Sequence, residues 1–186
     1  MLQFPPIPTW DSLHPAIVHF PIALLLLSPL FILISALVPP SKGRPYMTAA
    51  LIMTLLGTVS LFVAAATGEA AAELAERGGR VDAVLAAHED LASETRIVFA
   101  GLSAILLGMF VVPRILHRQE NRLSSTLMPI AFLALYSVGV LSLVNTAHAG
   151  GRLVHEFGVH AMVNGTGVAP GASEAHESKA ASTGKD

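Results

Sequence analysis

The stretch LHPAIVHFPIALLLL, residues 13–27, places two histidines and two prolines at the start of a long apolar run. That run covers residues 16–38, and three more follow at 47–66, 97–113 and 127–147. Each is about long enough for a helix to cross roughly 30 Å of hydrocarbon. Only 13% of the 186 residues are charged and 53% are hydrophobic. The sequence therefore predicts an all-α protein, an integral membrane four-helix bundle.

The four runs occupy most of the chain, so residues 1–163 are interpreted as one four-span membrane domain. Residues 164–186 are rich in Gly, Ala, Ser and Lys and are predicted to be a disordered tail. The first run is too long and too rich in proline for a removable signal peptide. The absence of cysteine excludes disulfides, thiolate ligands and covalently attached haem. We expect a lipid bilayer around the chain and no nucleic-acid partner.

The distribution of charge predicts the topology. The short links after the first and third runs, PPSKGRPY at 39–46 and RILHRQENR at 114–122, are basic. Of the thirteen acidic residues, Glu120 alone lies in these links. The positive-inside rule places both links in the cytoplasm. Both termini then lie outside a bacterial inner membrane that the chain crosses several times.

The middle connection is rich in Ala, Glu and Leu and is interrupted only at Gly78-Gly79. We therefore predict that helices two and three project beyond the outer face as a hairpin and meet at this turn. Positions equidistant from the turn face each other in such a hairpin, so His88 is expected level with Glu69.

Histidines and glutamates from all four predicted helices gather at the outer end of the bundle. The candidate ligands are His14, His19, His88, His148, Glu69 and Glu89.

His14 and His19 lie on the first helix, about 140° apart around an ideal helix, so they cannot easily serve one metal together. We expect Pro21 to relax this angle, since it frees the carbonyl of Ile17 and bends the helix. His14 is expected at the water line, whereas His19 lies about 7.5 Å deeper. Ionisable groups inside membrane spans usually have a function.

Three functions remain open from these residues. The leading one is electron transfer through b-type haem, since two axial histidines on facing helices can hold the iron. His19 with His148 or His88 is the preferred pair for one haem, and two haems would use all four histidines. A non-haem site for Zn, Fe or Cu would add Glu69 and Glu89. In the third, an accessory subunit, the histidines only form hydrogen bonds. No motif decides whether the chain is an enzyme.

Four motifs, LHPAIVHFPIALLLL at 13–27, TGEAA at 67–71, HEDLA at 88–92 and AHAGGRLVHEFGV at 147–159, carry a family resemblance. The chain resembles, up to about residue 163, the predicted bacterial membrane proteins called domain of unknown function 2231. The resemblance implies a four-span domain whose motif histidines fall on His14, His19, His88 and His148. Some relatives are fused to Rieske-type iron–sulfur or c-type cytochrome domains, which implies respiratory electron transfer. Here the electron partner is expected to be a separate redox protein or membrane complex.

Overall fold

The computed structural model describes residues 9–74, 78–116 and 122–159, which form helices and short turns with no strand in these ranges. After a 3-10 turn at Asp11–Leu13 the chain forms α1 (His14–Ile17), α2 (His19–Leu37), α3 (Pro40–Leu74), α4 (Arg80–Ile115) and α5 (Arg122–His155). The predicted tail at 164–186 lies outside the described residues.

Proline explains why the first span consists of two helices. Pro21 has no backbone N–H and cannot bond to the carbonyl of Ile17, so the regular ladder is interrupted there. The chain turns at Val18, between α1 and α2. Pro21 then lies in the first turn of α2, where a missing N–H costs little. Val18 itself keeps helical dihedral angles, with φ −58° and ψ −25°.

Four segments are long and apolar enough to cross a membrane. They are Asp11–Leu37, Pro40–Glu73, Arg80–Ile115 and Ser125–His155. The predicted all-helical chain with four such helices is therefore confirmed in the described ranges.

The connection between the second and third apolar runs is largely helical, as its composition predicts. The second span remains helical past Ala66 to Leu74, and α4 begins at Arg80. Between them Gly79 has a φ of 54°, a left-handed conformation that glycine adopts without strain. The predicted turn at the glycine pair is thus present.

The helices pack as a closed ring of antiparallel neighbours. α2 packs against α3 and α5, and α4 packs against the same two helices. Because successive helices alternate in direction, the starts of α1 and α4 meet the ends of α3 and α5. We call this region the histidine end, since it contains His14 and His88.

The core combines apolar packing with satisfied polar groups. Phe99 and Tyr136 are fully buried and their rings meet edge to face at 5.5 Å. The Tyr136 hydroxyl donates a hydrogen bond of 2.9 Å to the carbonyl of Leu25. Many large apolar side chains instead lie exposed on the outside of the bundle. That distribution suits contact with lipid.

Hydroxyl pairs and glycines hold neighbouring helices together. The pairs are Ser28–Thr54 at 2.6 Å, Thr58–Ser103 at 2.8 Å and Thr95–Ser142 at 2.6 Å. A Cβ on Gly139 would lie only 2.6 Å from Leu102, so this glycine permits close helix approach. Gly101 and Gly108 have no such neighbour within 4 Å. Small residues therefore serve close packing at some positions only.

Candidate functional site

His14 is half-buried at the start of α1 and packs against the end of α3. Its Nδ1 lies 2.8 Å from the carbonyl oxygen of Ala64 and 3.2 Å from Oγ1 of Thr67. A carbonyl oxygen can only accept, so Nδ1 carries the proton in the short bond. In the neutral ring, Nε2 then holds a free lone pair.

His88 repeats this arrangement between α4 and α5. It too is half-buried, and its Nδ1 donates to the carbonyl oxygen of Thr146 at 3.0 Å. The same reasoning leaves the lone pair on Nε2 of His88. Both histidines are therefore held in the same tautomer by a backbone carbonyl, from α3 for His14 and from α5 for His88.

A glycine lies under each ring. A Cβ on Gly68 would be 2.9 Å from Cε1 of His14, and a Cβ on Gly150 would be 3.0 Å from Cε1 of His88. Each glycine follows its carbonyl acceptor, Ala64 or Thr146, by four residues. The two rings thus rest on matching positions, one helical turn beyond the carbonyl that they bind.

The two Nε2 atoms are the available ligands of this site. Neither has a hydrogen-bond partner among the described residues. In contrast, every fully buried side-chain nitrogen or oxygen in those residues has such a partner. Hence neither Nε2 is sealed in the core. His14 and His88 both lie at the histidine end, and each has a lone pair on Nε2 that is available to a ligand.

From the sequence, His19 with His148 or His88 was the preferred ligand pair, and His19 was expected to be the buried histidine of the first span. In the structure the His19 side chain is exposed and His14 is half-buried. His14 contacts α3 whereas His19 is exposed, as their spacing of about 140° around the helix predicts. His148 is also exposed, on α5.

The two glutamates are placed outside this pair of imidazoles. Glu89 is exposed beside His88. Glu69 is exposed and forms an ion pair of 3.7 Å with Arg96. Arg96 lies about two helical turns beyond His88 along α4, so the ion pair does not join Glu69 to His88. In the described parts of the chain no group of three or more His, Asp or Glu residues could hold a metal ion.

Two further contacts of charged side chains lie at the histidine end. The guanidinium of Arg152 binds both carboxylate oxygens of Glu156, at 3.0 and 3.1 Å for Nε. These hydrogen bonds hold the pKa of Glu156 below its usual value. Arg80 lies over the ring of Phe157, 6.0 Å from its centroid. Both contacts lie around the end of α5, which continues to His155.

Sequence reasoning did not identify the residues that position the rings. Gly68 and Gly150 were interpreted only as parts of the motifs TGEAA and AHAGG. The acceptors on Ala64 and Thr146 are main-chain groups, which every residue possesses. The signal in the sequence is a glycine near the end of the second span and another near the end of the fourth. Each follows its carbonyl acceptor by four residues.

Taken together, the fold and site define an α-helical membrane protein with four apolar helices and a pair of histidines at one end. A family model described as predicted membrane protein (DUF2231) matches residues 11–162, and the chain belongs to this family. No curated protein and no solved structure matches the chain.

Proposed function

We propose that this chain is a membrane electron-transfer protein that binds b-type haem at the histidine end, with Nε2 of His14 and His88 as the axial ligands. The observation that carries the proposal is the duplicated arrangement of ring, carbonyl and glycine. It holds both rings in the tautomer that leaves Nε2 free, as metal-ligating histidines are commonly held.

The number of available ligands favours haem over a bare ion. The porphyrin supplies four nitrogens, so haem iron needs only one or two ligands from the protein. Zinc sites in proteins commonly use three or four protein ligands. Among the described residues no group of three or more metal-binding side chains is present, so the proposal uses only His14 and His88 as ligands. This donor set fits haem better than Zn, Fe or Cu alone.

The roles of the chain in this proposal follow from the contacts of the two histidines. The bonds to Ala64 and Thr146 orient the rings and increase the basicity of Nε2. Haem, when bound, supplies one-electron chemistry at its iron. Burial and hydrogen bonding around the rings set the potential at which this occurs. His19 and His148, both exposed, take no part as ligands.

We further propose that the histidine end faces the outside of the bacterial inner membrane, with both termini on that side. The opposite end carries exposed Lys42, Arg44 and Arg114, which suits the cytoplasmic face. A separate redox protein or membrane complex would exchange electrons at the outer face. A reporter enzyme that is active only outside the cytoplasm should work when inserted at Gly79. Activity only when inserted at 117–121 would reverse the orientation.

Optical spectra of the purified protein test the haem proposal. The protein would be expressed with haem supplied, purified in mild detergent, and examined by reduced-minus-oxidised spectra and elemental analysis. We expect a b-type spectrum that His14→Ala and His88→Ala each remove or shift. His19→Ala and His148→Ala are matched controls on the exposed surface and should leave the spectrum unchanged.

Each other outcome contradicts a defined part of the proposal. A spectrum that survives both His14→Ala and His88→Ala would overturn the ligand pair. Bound zinc, iron or copper with no Soret band would favour the non-haem site. A colourless, metal-free protein would favour an accessory subunit.

A further inference from the structure

Arg96 is linked to the His14 half of the site through the end of α3. Its Nη1 is 3.7 Å from Oε1 of Glu69, and Glu69 directly follows Gly68, on which the His14 ring rests. Only 26% of the Arg96 side chain is exposed, against 67% of Glu69. Arg96 also immediately precedes the third apolar run, where a charge is costly and is usually functional.

The ion pair with Glu69 does not account for this position. A single contact of 3.7 Å to an exposed carboxylate contributes little to stability. By comparison, Arg152 binds Glu156 through several bonds of about 3 Å, and Arg80 lies over Phe157. Arg96 can therefore exchange Glu69 for another carboxylate at small cost.

We propose that Arg96 binds a carboxylate of the cofactor, displacing Glu69. This inference rests on the proposed haem function, because b-type haem carries two propionates. A guanidinium can donate two parallel hydrogen bonds to a carboxylate, which gives both affinity and selectivity. The cofactor class selected by this end of the bundle is then a metalloporphyrin with free carboxyl groups.

The two members of the ion pair should respond in opposite directions. Arg96→Gln removes the group that binds the propionate, so haem binding weakens. Glu69→Gln removes a competitor for the same guanidinium, so haem binding stays equal or becomes tighter. An ion pair with only a structural role would lower the thermal stability in both variants and leave haem affinity alike in both.

Comparing two porphyrins isolates the carboxylate contact. Haem-free protein in mild detergent would be titrated with iron protoporphyrin IX and with its dimethyl ester, followed by Soret absorbance. The wild-type protein should bind the free acid about tenfold more tightly than the ester, the range expected for a hydrogen bond to a charged group. Arg96→Gln should lose this preference, and Arg96→Lys should keep part of it. Arg152→Gln, a matched control at the same end, should keep all of it.

The outcomes separate this inference from the haem proposal. If neither porphyrin binds to the wild-type protein, the proposed function fails. If both bind equally to it, or if Arg96→Gln keeps the preference, the function stands and the role of Arg96 is overturned. Size-exclusion chromatography and far-UV circular dichroism would establish that each variant is folded. If Arg96→Gln does not fold, Arg96→Lys and Glu69→Gln provide the test. Weaker haem binding in Glu69→Gln, or an undiminished preference for the free-acid porphyrin in Arg96→Lys, would refute the proposed role of Arg96.

Discussion

Replacing Gly150 with alanine tests the packing of His88 on α5. The added Cβ would lie 3.0 Å from Cε1 and 3.4 Å from Nδ1 of the ring. Carbon atoms in contact prefer about 3.5–4.0 Å, so the ring must move by about 0.5–1 Å. Such a movement disturbs the bond of 3.0 Å from Nδ1 to the carbonyl of Thr146.

The neighbouring Gly151 provides a matched control. It lies on the same helix and a Cβ there has no neighbour within 4 Å. Both substitutions gain up to about 1 kcal/mol of helix propensity. Only Gly150→Ala adds the cost of overpacking, about 1–3 kcal/mol. Gly150→Ala should therefore be less stable than Gly151→Ala by about 1–3 kcal/mol.

Thermal unfolding in mild detergent, followed by circular dichroism, would measure this difference. The double variant that combines Gly150→Ala with His88→Ala removes the clash, so the two substitutions should be non-additive. Equal stability of Gly150→Ala and Gly151→Ala, together with additive effects in the double variant, would refute the proposed contact. If haem binds as proposed, Gly150→Ala should also weaken it, whereas Gly151→Ala should not.

Two further predictions concern polar contacts inside the bundle. Tyr136→Phe removes the hydrogen bond to the carbonyl of Leu25 while keeping the ring, so unfolding in detergent should become easier by about 1 kcal/mol; no loss would show that the bond does not stabilise the fold. Thr95→Val removes contacts to the hydroxyls of Ser142 and Thr146 at 2.6 and 2.8 Å. It should cost about 0.6–1.7 kcal/mol in the same assay, with Thr95→Ser as the conservative control that retains most of the stability; equal losses in both would contradict this.

The helices could be predicted because their signals are local. Four apolar runs of membrane length define four spans, and the glycine pair at 78–79 marks the turn between α3 and α4. Gly150 and Gly151 are also a glycine pair, yet α5 continues through them to His155, and Gly150 lies against the His88 ring. Glycine alone does not distinguish a turn from a docking surface.

The site could be predicted only in part because it depends on side-chain direction. His14 and His88 were recognised by residue type and by their common end of the bundle. Depth along the chain favoured His19 over His14, but depth does not reveal which side of the helix a residue occupies. In the structure His14 contacts α3 and His19 is exposed. The angular spacing of the two histidines predicts that they face different sides, but which of them faces the bundle depends on how the first span packs against α3.

The geometry of an α-helix gives a reason for the repeated glycine. The carbonyl of residue i points toward residue i+4, so a ring that donates to this carbonyl from outside must lie over residue i+4. A side chain there blocks the ring, and Gly68 and Gly150 remove that obstacle. The same arrangement of carbonyl and glycine occurs on α3 for His14 and on α5 for His88. Holding helices together does not require a histidine at these places, since a serine or threonine could bond to the same carbonyl. What the arrangement achieves in both places is a fixed imidazole with Nε2 left free, which is what binding of a metal cofactor needs.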